Sequence, residues 1–236
     1  MQFRIFSFLL TTLILLFSQG LFAQKLQVGV MAGIAKPTEP QEFTQKITEN
    51  GLEMNMGYHL GLTLKYKLYN TINLVAGAQY AAITGEGDYV DIIGPNSPFH
   101  DYMHLTTDLP YYSFSAGAEY ELLIEKIAPY ITVQIAANSF LDPDITRTPA
   151  FLDDPLDSYS RNAEAIGALP RGVRLGVEFG MGFRVPLTPR FDIDINALYK
   201  LLNVAGNKEN EIWDGSKIRE KGIQSMNISL GFVYHL

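Results

Sequence analysis

The chain has 236 residues, 47% of them apolar and 18% charged, with 13 Tyr, 14 Phe, 20 Gly and no Cys. That length suits one domain of the larger all-β kind, and the charged fraction is below the roughly one quarter usual for a soluble domain. The missing cysteines exclude a disulfide scaffold, thiolate metal sites, cysteine catalysis and a lipid anchor on a first mature cysteine, and a net charge of −7 argues against a nucleic-acid partner.

Met1-Gln2-Phe3-Arg4 carries one positive charge, Ile5 to Phe17 is a short apolar core, and Gly20-Leu21-Phe22-Ala23-Gln24 reads as a cleavage region. A cleaved signal peptide is expected over residues 1–23, with Leu21 bulkier than the residue preferred at that position. Beyond it no run of about 18 uncharged apolar residues occurs, which excludes a polytopic helical membrane protein. Residues 24–236 are expected to form one exported domain.

That domain alternates with period 2, the signature of strands. Weaker runs cover 26–34, 72–82, 112–122 and 129–137. In 56–68, Met56, Tyr58, Leu60, Leu62, Leu64, Tyr66 and Leu68 share one face, against Gly57, His59, Gly61, Thr63, Lys65 and Lys67. Segments 173–185, 191–201 and 226–236 repeat the pattern, giving eight strands. Most runs reach 11 residues, the length of a tilted membrane-spanning strand and not the five or six of a soluble one. Short turns are expected at Tyr69-Asn70-Thr71, Leu123 to Ala128 and Pro186 to Arg190, alternating with long loops that include 84–108 and 139–171. An even strand count with this alternation predicts an all-β fold, an eight-stranded antiparallel up-and-down transmembrane barrel with short periplasmic turns and long extracellular loops.

Aromatic spacing supports the same fold. Tyr58 and Tyr66, Tyr112 and Tyr120, and Phe191 and Tyr199 are each eight residues apart on the apolar parity. Such a pair spans about 20 Å along the membrane normal, close to the separation of two aromatic girdles. Tyr80, Phe183 and Tyr234 extend the girdle set. A soluble lipocalin-like barrel or sandwich core has no reason to hold aromatics at two heights.

These features resemble the small outer-membrane β-barrel family common in Bacteroidota, related in architecture to the OmpA transmembrane domain. The resemblance rests on the exported N-terminus ending Phe22-Ala23-Gln24, the Gly-rich hairpins and the ending Ser229-Leu230-Gly231-Phe232-Val233-Tyr234-His235-Leu236. It implies outer-membrane lipid and lipopolysaccharide as surroundings, and recognition of Phe232, Tyr234 and Leu236 by barrel-assembly machinery. Many family members end in Phe, from which Leu236 departs. The resemblance specifies architecture and is nearly silent on activity.

Inward parity assigns Lys65, Lys67, Glu119, Glu121, Arg174, Glu178, Arg184, Asp192, Asp194 and Lys200 to the lumen. An eight-stranded barrel is just wide enough for side chains to fill, so an ion-pair network that plugs it is expected. A turn centred near Pro189 sets Arg184 opposite Asp194 and Glu178 opposite Lys200. A large-solute porin is excluded, and a narrow ion path through the same charges is the alternative. A third reading, a lipid-modifying enzyme, requires a Ser/His or Asp/His pair at one rim height.

No catalytic constellation, cofactor motif or metal site emerges. His100 and His104 have helical metal-pair spacing beside Asp101, but Gly94, Pro95 and Pro98 argue against a helix there. Gly85-Glu86-Gly87 reads as a turn, without the Lys and helix of a phosphate cradle. The acids of loops 84–108 and 139–171 offer hard ligands for Ca²⁺, yet no spacing matches a calcium loop, so they read as solvated. Tyr89, Ile92, Phe99 and Phe151 in these loops point to a protein partner or to mutual packing. The preferred reading is a non-enzymatic barrel with a structural or partner-binding role at the cell surface.

Overall fold

The computed structural model describes residues 26–38, 53–92, 100–122, 127–142, 144–149, 169–211, 217–220 and 222–236. The expected signal peptide and most of the 139–171 loop lie outside these residues. Eight long strands form the wall: β1 (Leu26–Pro37), β2 (Glu53–Lys67), β3 (Ile72–Ile92), β4 (His100–Glu121), β5 (Ala128–Phe140), β7 (Gly172–Thr188), β8 (Phe191–Ala205) and β11 (Gln224–His235). Three short strands, β6 (Asp144–Pro149), β9 (Glu209–Glu211) and β10 (Lys217–Arg219), belong to the connections.

Each wall strand pairs antiparallel with its neighbours in sequence, and the first and last pair with each other, Gln27 opposite His235 through Pro37 opposite Ser225. The sheet therefore closes, and an eight-stranded up-and-down barrel results. Closure removes the open sheet edges that hydrocarbon cannot hydrate. At one end tight turns join β2 to β3 and β7 to β8. Between β7 and β8, Thr188 Oγ1 accepts hydrogen bonds from the N–H groups of Arg190 (3.3 Å) and Phe191 (3.1 Å), so the turn is confined to Pro189-Arg190 and is shorter than expected. Pro186 sits at a register shift beside it, where a missing N–H is tolerated.

The other end departs from the expected pattern. Residues 84–108 are mostly the outer part of a hairpin and not a loop: β3 and β4 stay in register from Ile72 opposite Tyr120 to Ile92 opposite His100. Gly85-Glu86-Gly87 lies inside β3 and makes no turn. His100 and His104 lie on β4, where positions four apart are separated by about 13 Å along the strand, too far for one metal ion. Polar composition hid this extension, because backbone pairing continues from an aligned hairpin without needing an apolar face. β6 adds a third strand, pairing with β4 from Met103 to Asp108. Pro110 marks the place where the partner of β4 changes from β5 to β6.

Burial is inverted relative to a soluble domain. On β11 Asn227 is fully buried whereas its neighbour Ile228 is 49% exposed. The same holds around the wall, with Val30, Leu62, Phe114, Val133, Met181 and Leu230 exposed, and Lys65, Glu119, Gln134, Arg184 and Lys200 buried. Water cannot favour that arrangement; an apolar solvent outside the wall does.

Leu62, 58% exposed on the outer face, lies midway between Tyr58 and Tyr66. Leu62→Arg is expected to lower stability by about 2–4 kcal/mol, the penalty for a cation at the midplane of a barrel's lipid face. Leu60→Arg and Leu64→Arg are expected to lower it less, because the side chain reaches water. Urea unfolding in lipid compares the three variants; a flat series contradicts lipid contact.

Candidate functional site

The interior is the chemically distinctive region, and the inward positions of β7 (Arg174, Gly176, Glu178, Gly180, Gly182 and Arg184) serve as a ruler along it. Charge occurs at three heights with glycine between. Gly182 has a specific reason: a Cβ there would lie 2.6 Å from the ring of Tyr130, its cross-strand partner. The ring thus fills the space that the glycine leaves.

Nearest the short turns is a cluster drawn from six of the eight wall strands. Lys65 Nζ of β2 donates to Glu119 (3.0 Å) of β4 and Asp194 (2.9 Å) of β8. Arg184 of β7 donates through Nη2 to Glu119 and through Nη1 to Glu121 at 3.1 Å. Asn73 Nδ2 of β3 bridges Glu119 (2.9 Å) and Glu121 (3.0 Å), and the Tyr130 hydroxyl of β5 donates to Asp194 at 2.6 Å. Both cations lie 4.8 Å from the centroid of the Tyr130 ring, within cation–π range. Two cations thus face three carboxylates, with Asn73 and Tyr130 supplying neutral donors. Asp192 makes a separate contact with His235, 2.7 Å to Nε2, at the short-turn rim.

At mid-height Lys200 Nζ donates to Glu178 and to Gln79, both at 2.9 Å, and Ser113 donates to Glu178 at 3.4 Å. His59 is also buried here, its Nε2 3.2 Å from Ser229 Oγ. Glu178 lies opposite Lys200 and Arg184 opposite Asp194 in the β7–β8 register, as a turn near Pro189 requires.

Nearest the long connections, Arg174 bonds Glu220 through Nε (2.6 Å) and Nη2. The Glu220 carboxylate also accepts from the N–H groups of Lys208 (3.3 Å) and Arg171 (3.4 Å). Burial pushes this carboxyl up, but the Arg174 and backbone hydrogen bonds and the Arg174 charge together hold it below the usual carboxylate range.

Of the residues assigned to the lumen by parity, all are buried except Lys67, which is half-buried at the last position of β2. Tyr130, Asn73 and Gln79 were not singled out from the sequence, although the polar parity that they share with Thr132, Glu119 and Ser113 marks them. Glu220 follows no alternation, and no local signal identifies it. The aromatic set lies on the outer face in cross-strand groups. Tyr58, Tyr80 and Tyr112 form a row with centroids 6.3 and 5.3 Å apart, and Phe191 meets Tyr234 at 4.9 Å. Tyr66, Tyr120, Phe183 and Tyr199 are exposed or half-exposed on the same face, as are Phe232 and Leu236 at the C-terminus.

No protein-family model matches the chain, and no curated protein sequence does. Among solved structures, the chain is similar to Neisserial surface protein A (NspA) with a TM-score of 0.51 and 16% identity, over 89% of this chain and 97% of that one. The N-terminal β-barrel domain of Pseudomonas aeruginosa OprF matches with a TM-score of 0.36 and 13% identity, over 88% and 97%. The outer-membrane enzyme PagL matches with a TM-score of 0.36 and 14% identity, over 87% and 97%. The likeness to NspA is one of fold: this chain has the fold of a small eight-stranded outer-membrane barrel.

Arg184 is 2% exposed and is shared among three carboxylates. Arg184→Met leaves Glu119, Glu121 and Asp194 with Lys65 as their remaining cation. The expected loss in urea unfolding is about 3–5 kcal/mol, the penalty of an uncompensated buried charge. Arg184→Lys is expected to recover part of it, since an ammonium cannot fork across two carboxylates. Equal stability of Arg184→Met and the parent chain contradicts a charged, dry cluster.

Proposed function

We propose that this protein is an integral outer-membrane barrel of a Gram-negative bacterium, exported with loss of residues 1–23. Its lumen is plugged by ion pairs, and its role at the cell surface is structural or partner-binding, without catalysis. Within that reading it is one of the OmpA-like small barrels common in Bacteroidota. Lipid and lipopolysaccharide surround the wall. The outer-face aromatics act as two girdles, and Phe232, Tyr234 and Leu236 present the terminal strand to barrel-assembly machinery. The single observation that carries the reading is the inverted wall, apolar side chains outside and charged side chains within.

The cluster of Lys65, Glu119, Glu121, Tyr130, Arg184 and Asp194 supports a plug, because its members from strands two or three places apart around the barrel meet within hydrogen-bond distance. The β3–β4 hairpin with β6 beside it supports a surface role, since it extends the wall beyond the point where β5 stops pairing with β4. The histidine contacts favour the non-catalytic reading over the enzyme reading. His59–Ser229 is enclosed in the interior, with His59 only 2% exposed and so away from either rim. Asp192–His235 sits at the short-turn rim, the end expected to face the periplasm.

An epitope inserted between Ile92 and His100 is expected to be detected by antibody on intact cells; detection only after lysis overturns the surface assignment. In planar bilayers the purified protein is expected to give no single-channel steps. Discrete steps that change on Glu178→Gln favour the narrow-channel alternative.

A further inference from the structure

The interior is not polar throughout. Towards the long connections the inward face of β4 changes from Ser115 and Ser113 to Tyr111 and Leu109, and that of β3 from Gln79 to Ala81 and Ile83. Tyr111, Leu109, Ala81 and Ile83 are all fully buried, and Phe140, opposite Tyr111 on β5, is 3% exposed. The rings of Tyr111 and Phe140 have centroids 5.3 Å apart. This apolar group lies on the long-connection side of Ser113 and Gln79, and every member belongs to a wall strand.

Tyr111 is the member that crosses the lumen. Its hydroxyl reaches Ser225 and Asn227 of β11, and β11 stands four places from β4 in either direction round the wall, which in an eight-stranded barrel is the opposite side. Ser225 and Asn227 are fully buried, and Ser225 Oγ donates to Asn227 Oδ1 at 3.0 Å. On β3, β2 and β1, which lie between, inward positions are small: Ala81 is opposite Tyr111, and Gly57 is opposite Ala35, itself opposite Asn227. None carries more than a methyl group, which leaves the ring its path. The other half of the circle is filled by the buried Arg174 and by Asn138 of β5, whose Nδ2 donates to Leu202 O of β8 at 2.7 Å. The Tyr111 hydroxyl meets no partner at hydrogen-bond geometry, so the bulk of the ring fills the bore and no bond at its tip is needed.

We propose that Tyr111 is a crossbar that closes the long-connection side of the lumen to ions and water-sized solutes, a second barrier in series with the ion pairs near the short turns. The proposal rests on the plugged-lumen reading and names the residue that completes it. The two barriers work differently. The ion pairs occupy space and satisfy their own charges, whereas an apolar constriction excludes an ion because the ion must shed water there with nothing to replace it. The crossbar is a wall side chain, so it does not depend on the connections.

Ser113, the next inward residue of β4 towards the short turns, lines a space of about 30 Å³, and the chain has no native cysteine. Ser113→Cys therefore supplies a single reporter thiol. The probe is Ag⁺, which is close to water in size and binds thiols, applied to the full exported protein purified in detergent. Thiols left unreacted are counted after denaturation. In Ser113→Cys alone the reaction is expected to be slow. With Tyr111→Ala added it is expected to be at least ten-fold faster, while heat-dependent gel mobility shows that the barrel remains closed. Tyr111→Phe keeps the ring and is expected to leave the reaction slow. Tyr112→Ala removes the same ring from the outer face of β4 and is expected to change nothing, which separates loss of the crossbar from loosening of the wall. If Tyr111→Ala does not refold, Tyr111→Leu, too short to reach β11, is read in the same way. The proposal is overturned by an unchanged slow rate in the folded Tyr111→Ala or Tyr111→Leu barrel, by fast reaction in Tyr111→Phe, or by an equal acceleration from Tyr112→Ala. Fast reaction in Ser113→Cys alone is instead failure of the ion-pair plug, with the bore open from the short turns. The crossbar then predicts single-channel steps for Tyr111→Ala and none for the parent chain, and the absence of steps in Tyr111→Ala overturns it.

Discussion

An eight-stranded barrel has an interior no wider than the side chains that point into it, and here the apolar face of every strand is turned outwards. The interior is therefore filled largely from the polar parity, with Val75, Tyr111, Leu198 and Val233 buried among it, and this brings cations and carboxylates out of water into a narrow space. Such burial is tolerable only if each charge meets an opposite one and the remaining lone pairs and protons are satisfied. The arrangement around Arg184 meets that demand. Glu119 accepts from Lys65, Arg184 and Asn73, Asp194 accepts from Lys65 and Tyr130, and the Tyr130 ring lies against both cations. Other interior features follow from the same demand, including Gly182 making space for Tyr130 and Asn73 bridging two carboxylates.

The same constraint links fold to function. Side chains from strands that are not neighbours meet within hydrogen-bond distance across the interior, and this contact is what the proposed plug rests on. What distinguishes this molecule from a bare wall then lies where the wall ends. One such feature is the three-stranded extension formed by β3, β4 and β6. The other is the β8–β11 connection, which turns a carboxylate back onto Arg174. The first projects away from the barrel and the second folds onto it.

Much of the wall was legible before any coordinates. Period-2 alternation is a property of each strand alone, so Leu62 and Arg184 could be assigned to opposite faces from their neighbours. The opposition of Arg184 to Asp194 followed from one further datum, a turn near Pro189, because hairpin register depends on turn position. Lys67 shows the limit of parity: at the last position of β2 the alternation continues but the enclosing wall does not, and the residue is only half-buried. The outer hairpin was misread as a loop for the opposite reason. Its pairing is inherited from strands already aligned below it, and Gly85, Glu86 and Asp88 carry no apolar period of their own.

The sequence by itself determined the eight strands, the parity of nearly every wall side chain, the polar filling of the interior and the inversion that calls for an apolar solvent outside. Each of these depends on residues one or two apart, or on the length of a single run. Only the tertiary structure decided which charges share which partners, that Tyr130 stands between two cations, that a cavity remains beside Gln79 and Lys200, and that Glu220 pairs with Arg174. Those depend on closing the sheet, which brings together residues from strands that are not neighbours. Lys65 reaches Asp194, and Arg184 reaches Glu119, across the barrel interior. No local pattern encodes a distance across a barrel, because that distance is set by strand number, tilt and stagger acting together.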